Sequence, residues 1–169
     1  GTDWICHGIR DLCQLMVGTR LDEFTASPIQ LYRRLIDHHQ LRWLHDGVFR
    51  MAAGAVLNAM WDLWAKSLNQ PLWKLLVDLE PEFGADCIDW RNLGDALTRE
   101  EAIALLQARR PRVPQREAAM ATHGPKAYCT AGWLGLSDEE ILATIRKLQA
   151  EGFDAFKLKV GQDSALDVA

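Results

Sequence analysis

The chain has 169 residues, of which 49% are hydrophobic and 25% charged, with a formal net charge of −4. That length supports a domain with a real core, and the composition is that of a soluble globular protein, not of a disordered or fibrous one. Without a basic excess, and with a pI of about 5.7, no nucleic-acid partner and no anionic membrane surface are expected.

The first half reads as helix. Trp4 to Val17 is amphipathic, with Ile5, Ile9, Leu12 and Met16 at helical spacing and Gly18 as a stop. Ser27 as N-cap and Pro28 in the first turn open a helix that runs to Ile36. Gln40 to Leu44 follows as a short connector.

Val48 to Leu68 is the longest predicted helix. Its polar residues Arg50, Asn58, Asp62 and Lys66 form one thin stripe, and Asp62 and Lys66 stand at the i,i+4 spacing of an ion pair. So narrow a stripe predicts burial over most of the circumference. The charges also exclude a membrane span. Asn69-Gln70-Pro71 breaks this helix, and Leu72 to Leu79 forms another.

Glu80 to Gly94 is mixed, with Cys87-Ile88-Asp89-Trp90 reading as a short strand. Thr98 and Glu101 form a capping box for a helix to about Arg109. Arg109-Arg110-Pro111-Arg112-Val113-Pro114 reads as a loop, a basic triplet on a solvated turn. Gln115 to Thr122 is one more short helix, ended by Gly124-Pro125.

The last third changes character. Lys126 to Ala131 reads as a strand, and Gly132-Trp133-Leu134-Gly135 as a loop. Ser137 and Glu140 form a second capping box, and Ile141, Ile145 and Leu148 mark the core face of a helix to Gln149. Gly152 ends it, and Phe153 to Val160 is a strand. This is one β-α-β unit, so the two strands are expected to run parallel. A parallel pair is covered on both faces and has further members in ordinary folds, so the segment reads as the opening of an α/β barrel.

In the last strand, alternation puts Phe156, Leu158 and Val160 on one face and Lys157 and Lys159 on the other. Each ammonium raises the cost of charging the other, and burial adds to it, so both lysines are expected to titrate below their ordinary range. Such a lysine can take a proton from carbon. The competing reading is an edge strand with one solvated face. Placement at the C-terminal end of a parallel strand, where catalytic groups gather, favours the first.

Other candidates carry less. His38 and His39 are adjacent, so their rings face differently and metal ligation is not expected; His7, His45 and His123 stand alone. Asp89 and Arg91, flanking Trp90, suit a structural ion pair. Glu80, Glu82 and Asp86, around Pro81, suit a solvated turn. Cys6, Cys13, Cys87 and Cys129 form no C-x-x-C pair, so the expectation is reduced, buried thiols in an intracellular protein. Seven tryptophans suggest large buried contacts. No signal peptide is visible, which favours the cytoplasm, although a start at Gly1-Thr2 leaves an earlier leader and a mitochondrial address open.

Several of these runs, in this order, resemble the enolase superfamily, and within its mandelate-racemase-like branch the L-fuconate dehydratase group. They are Gln40 to Leu44, Ala55 to Lys66, Pro71 to Leu76, Cys87 to Arg91, Ala127 to Gly135 and Phe156 to Gly161. The N-A-x-W-D-L-W-A-K and P-x-W-K-L-L runs are specific to the group, whereas K-x-K marks only the superfamily. The resemblance implies an α/β fold. Residues 1–94 would be the mostly helical part of an α+β capping domain, and residues 95–169 linker helices and the first β-α-β unit of a modified TIM barrel.

The resemblance also implies a lyase. Such enzymes hold a sugar acid on Mg²⁺, remove its C2 proton and its C3 hydroxyl, and release a 2-keto-3-deoxy acid. Lys159 takes the part of the base, and Lys157 that of the cation beside the substrate carboxylate and enediolate. The family's metal ligands and general-acid histidine follow on later strands, so no metal ligand is expected in this chain and the chain alone is expected to be inactive, as an internal fragment. Gly124-Pro125-Lys126 departs from the Gly-Tyr-Pro usual there. A homo-oligomer is compatible with the family. Two rivals stay open: another superfamily sugar-acid dehydratase or racemase, and a non-catalytic helical interaction module built on Val48 to Leu68.

Overall fold

The structure, a computed structural model, describes residues 1–39, 47–124 and 127–161. The chain forms two compact units, 1–113 and 114–169. The Gln40–Leu44 connector, His45 and the Pro125-Lys126 departure lie outside the described residues.

The first unit is helical. It contains α1 (Thr2–Gln14), α2 (Leu21–Ala26), α3 (Pro28–Ile36), α4 (Val48–Ser67), α5 (Leu72–Asp78), α6 (Pro81–Asp86) and α7 (Arg99–Arg109). Its core joins Leu12 of α1, Leu35 and Ile36 of α3, and Phe49, Ala52, Ala53 and Val56 of α4, with Ile5, Ile9 and Met16 packed around them. Helix α1 lies close along α4 because small residues meet there: a Cβ on Gly8 would stand 3.0 Å from the Cβ of Ala52. A second cluster is aromatic. Phe24 of α2 meets Trp61 and Trp64 of α4 edge-on at 5.5 and 6.2 Å, and Trp64 meets Phe83 of α6 at 6.0 Å. Edge-to-face pairs at these separations add to the area term. The tryptophan expectation holds for these two rings, while Trp4 is 71% exposed.

Helix α2 has no counterpart in the sequence reading, because six residues with one large apolar anchor, Phe24, leave no period to detect. Pro28 opens α3 as predicted, but Ser27 makes no side-chain cap bond. Helix α1 ends at Gln14 with Leu15 as its C-cap, short of the predicted Val17, and a turn follows that closes at Gly18, whose φ of 84° is a left-handed conformation glycine reaches without strain.

Helix α4 matches its predicted span and carries the predicted pair, with Lys66 Nζ 2.6 Å from Asp62 Oδ2. Its expected burial over most of the circumference is met only in part. Phe49, Ala52, Ala53 and Val56 are buried on one face of its first half, and Ala65 on another side near its end. Met51, beside the polar stripe, is 60% exposed, and Leu63, seven residues after Val56, is 48% exposed. An apolar all-round sequence marks what a helix can bury, and the neighbours present decide how much of it is buried.

Cys87 to Trp90 is not a strand. Pro81 opens α6, Cys87 caps its C-terminus, and the Asp89 carboxylate accepts from the Arg91 amide to start a short 3₁₀ turn, Trp90–Asn92. The Trp90 indole N–H also donates to the Ala85 carbonyl at 3.0 Å. Local side-chain bonds of this kind draw aspartate out of ladders and into caps. The solvated turn expected around Pro81 is accordingly helical. Its carboxylates are paired: Glu80 with Arg110 and Asp86 with Arg99, each at 2.7 Å, while Glu82 accepts from Gln107 at 2.8 Å.

Arg109 to Pro114 is not a loop. A 3₁₀ turn, Arg110–Arg112, leads straight from α7 into α8 (Val113–His123). Both prolines stand in first turns, where a missing N–H costs no intrahelical bond. The reduced thiols are free as expected but not fully buried, with Cys13 exposed and Cys6, Cys87 and Cys129 half-buried.

The second unit holds α8, β1 (Cys129–Gly132), α9 (Asp138–Ala150) and β2 (Phe156–Leu158). The strands pair in parallel, and α9 packs on β1. Both capping boxes form as predicted, at Thr98–Glu101 and Ser137–Glu140. Among the described residues the sheet has these two strands, so β2 is shorter than the predicted Phe153 to Val160. A ladder ends where its partner's backbone ends. The α/β class therefore appears here as a mostly helical chain with one small parallel sheet.

Candidate functional site

The site predicted from K-x-K lies in the second unit. Lys157 is the central residue of β2, opposite Thr130 of β1, and Lys159 follows the strand immediately. Lys159 thus stands just past the C-terminal end of a parallel strand, with Lys157 two residues before it. The amide of Lys159 donates to the Gly132 carbonyl at 3.0 Å, which ties that position to the end of β1. Beyond it Gly161, with φ 108°, turns the chain in a conformation that disfavours other residues.

The expected burial of the two lysines is not found: both side chains are exposed. The opposite face is also partly open, with Phe156 half-buried and Leu158 and Val160 50% and 62% exposed.

Two residues near the lysines escaped the sequence reading. Lys157 Nζ stands 5.2 Å from the centre of the Tyr128 ring, and Lys159 Nζ stands 4.3 Å from the Trp133 ring. These separations fall within the ~6 Å reach of a cation–π contact. Tyr128 was detectable: two positions before Thr130 on a parallel strand, it shares the face of Lys157. Trp133 was not, because its level depends on a register irregularity in β1.

The remaining candidates take structural places. Arg91 binds Asp89 at 2.6 Å and Asp37 at 2.9 Å, clamping the 3₁₀ turn to the end of α3. The expected pair is present, on a turn instead of a strand, and has a third member. The Arg91 bonds hold the Asp89 carboxyl below the usual carboxylate range. His38 and His39 have ring centres 4.7 Å apart with planes tilted by 37°. Among the described residues no three His, Cys, Asp or Glu side chains gather as a metal site. His123 shares a 2.8 Å hydrogen bond with Thr122, its neighbour.

The chain is similar to known proteins along nearly all its length. Residues 5–77 match the mandelate racemase / muconate lactonizing enzyme N-terminal domain. The chain is 42% identical, over 99% of its length, to mitochondrial enolase superfamily member 1 of Xenopus laevis. It is 39% identical, over 95% of its length, to L-galactonate dehydratase of Hypocrea jecorina. It spans 38% and 37% of the lengths of those two relatives. The crystal structure of human mitochondrial enolase superfamily member 1 matches 99% of the chain at 37% identity, with a TM-score of 0.83, and the chain covers 39% of it. Residues 5–77 are thus similar to the mandelate racemase / muconate lactonizing enzyme N-terminal domain, and the chain to members of the enolase superfamily.

Proposed function

We propose that this chain carries part of the machinery of a Mg²⁺-dependent sugar-acid dehydratase, with Lys159 as the base and Lys157 as its electrostatic partner. The observation that supports this is the Lys157–Lys159 pair at the end of β2, in a chain similar to an L-galactonate dehydratase over 95% of its own length. The substrate class is a sugar acid of the L-galacto configuration. L-fuconate, suggested by the resemblance of the motifs, is L-galactonate without its C6 hydroxyl, so both names point to one stereochemical pattern around C2 and C3.

A proton next to a carboxylate is weakly acidic, and its removal leaves an enediolate that needs cationic stabilisation. Neutral Lys159 Nζ takes the C2 proton and becomes an ammonium. The C3 hydroxyl leaves as water once a general acid, expected on a later barrel strand, donates a proton to it, and the enol left behind tautomerises to the 2-keto-3-deoxy acid. Lys157, two residues earlier on the same face, supplies a fixed positive charge to the carboxylate. Bound Mg²⁺ supplies Lewis-acid stabilisation of the developing charge. Among the described residues no three His, Cys, Asp or Glu side chains gather to hold it. Its ligands are expected on later barrel strands, and residues 1–169 alone are expected to turn over no sugar acid.

The test uses the intact native protein with Mg²⁺ and a panel of sugar acids in deuterated water. The expected result is loss of water from L-galactonate and L-fuconate, with K159M lowering both turnover and C2 exchange by about 10²–10⁴-fold. Full activity in K159M would remove Lys159 from the role. Exchange at C2 without water loss would make the protein a racemase of the same superfamily. The exposed apolar residues Met51 and Leu63 on α4 favour the non-catalytic interaction reading. That reading predicts no exchange with any acid.

A further inference from the structure

Between Cys129↔Phe156 and Thr130↔Lys157 the two strands pair residue for residue. Uninterrupted, that register would set Ala131 opposite Leu158 and Gly132 opposite Lys159. An irregularity between Thr130 and Gly132 gives β1 one extra residue, so Gly132 faces Leu158 and Trp133 comes level with Lys159. Glycine leaves room for Leu158 in this offset. A Cβ at Gly132 would stand 2.8 Å from Leu158 Cδ2, so that the end of that side chain would have to move, and at an ordinary contact distance of 3.5 Å from Ile141 Cδ1.

The consequence is a division of the lysine pair. Tyr128 precedes β1 and Trp133 follows it. Lys157 reaches toward the first ring, at 5.2 Å, and Lys159 toward the second, at 4.3 Å. Two ammonium groups on one strand face repel, and separate rings give each its own attractive surface. The indole face, the stronger of the two, serves the lysine that has to exchange a proton.

We propose that Trp133 is the positioning residue for Lys159, holding its charged side chain against the indole at the C-terminal end of β2. This rests on the reading of Lys159 as the base. The ring quadrupole attracts the ammonium and has little hold on the neutral amine. The ammonium formed on taking the C2 proton therefore has a defined resting surface, and a flexible four-carbon side chain is kept near the reacting position. Trp133 itself touches no reacting atom in this arrangement. Its placement depends on the β1 irregularity, which makes Gly132 part of the same device.

The experiment is carried out on the intact native protein with isotope-labelled lysine side chains, the Lys159 resonance being assigned by its disappearance in K159R. The expected wild-type spectrum has the Lys159 ε-methylene displaced upfield by the indole ring current. In W133L the resonance moves to the position of free lysine, and in W133F much of the displacement returns. Trp133 is half exposed, 53%, so neither variant threatens the fold. In kinetics, W133L lowers kcat by about two- to fivefold, the worth of an exposed cation–π contact, with KM unchanged and with recovery in W133F. A wild-type Lys159 resonance at the free-lysine position overturns the contact, whatever the protein catalyses. A displaced resonance with unaltered kcat in W133L, in a protein that K159M inactivates, overturns the positioning role and leaves the base reading standing. Undiminished activity in K159M removes the base reading, and the proposal with it.

Discussion

Cysteine reactivity separates residues that look alike in the sequence. Burial, helped by the charge of Asp86, pushes the Cys87 thiol up to about 11. Cys13 lies exposed on the outer side of α1. Only thiolate reacts with alkylating agents. Treatment of the folded chain with iodoacetamide near pH 8 is therefore expected to label Cys13 first and Cys87 last, read by peptide mass mapping over time. The lag of Cys87 should shrink as pH rises toward 11 and vanish on unfolding; equal rates at pH 8 would contradict the buried environment. The sequence shows four lone cysteines and no way to rank them, because burial is a property of neighbours brought from elsewhere in the chain. At the same scale, K-x-K was legible as a pair, and its exposure was not.

Helices with complete start signals were the most legible elements. Thr98–Glu101 and Ser137–Glu140 each form both bonds of a capping box, and α7 and α9 begin where those residues predict. The signal is local: two side chains three residues apart satisfy two backbone donors that would otherwise lack partners. Thr98→Ala and Ser137→Ala are each expected to destabilise by about 0.5–2 kcal/mol, seen as a lower thermal midpoint by circular dichroism. A loss much below that range would show that the caps contribute little beyond the packing of the helices. Elements without such signals were misread for identifiable reasons. Cys87 to Trp90 has strand-forming residues, but Asp89 bonds to the backbone two residues on and Trp90 donates back to Ala85. Arg109 to Pro114 has two prolines, and both occupy first turns, where proline is tolerated.

For the molecule as a whole, α4 shows most plainly what packing adds. Its first half holds the core of the first unit, and Met51 and Leu63 remain open. Exposed apolar surface in residues 1–169 is expected to bind a hydrophobic dye. Met51→Lys with Leu63→Lys should lower that fluorescence without changing the helical signal; undiminished dye binding would place the open surface elsewhere. The mostly helical first part, the parallel β-α-β unit and the place of the lysines at a strand end were determined by the sequence itself. Each rests on a local period, a cap or a chain-order rule that needs no knowledge of distant neighbours. Only the tertiary structure decided which residues of α4 stay open, how Arg91 gathers Asp37 and Asp89, and which ring each lysine meets. Those depend on contacts between residues far apart in the chain. For Trp133 they depend on one extra residue in β1, which moves a side chain from one level of the sheet to the next without any mark in the residue pattern.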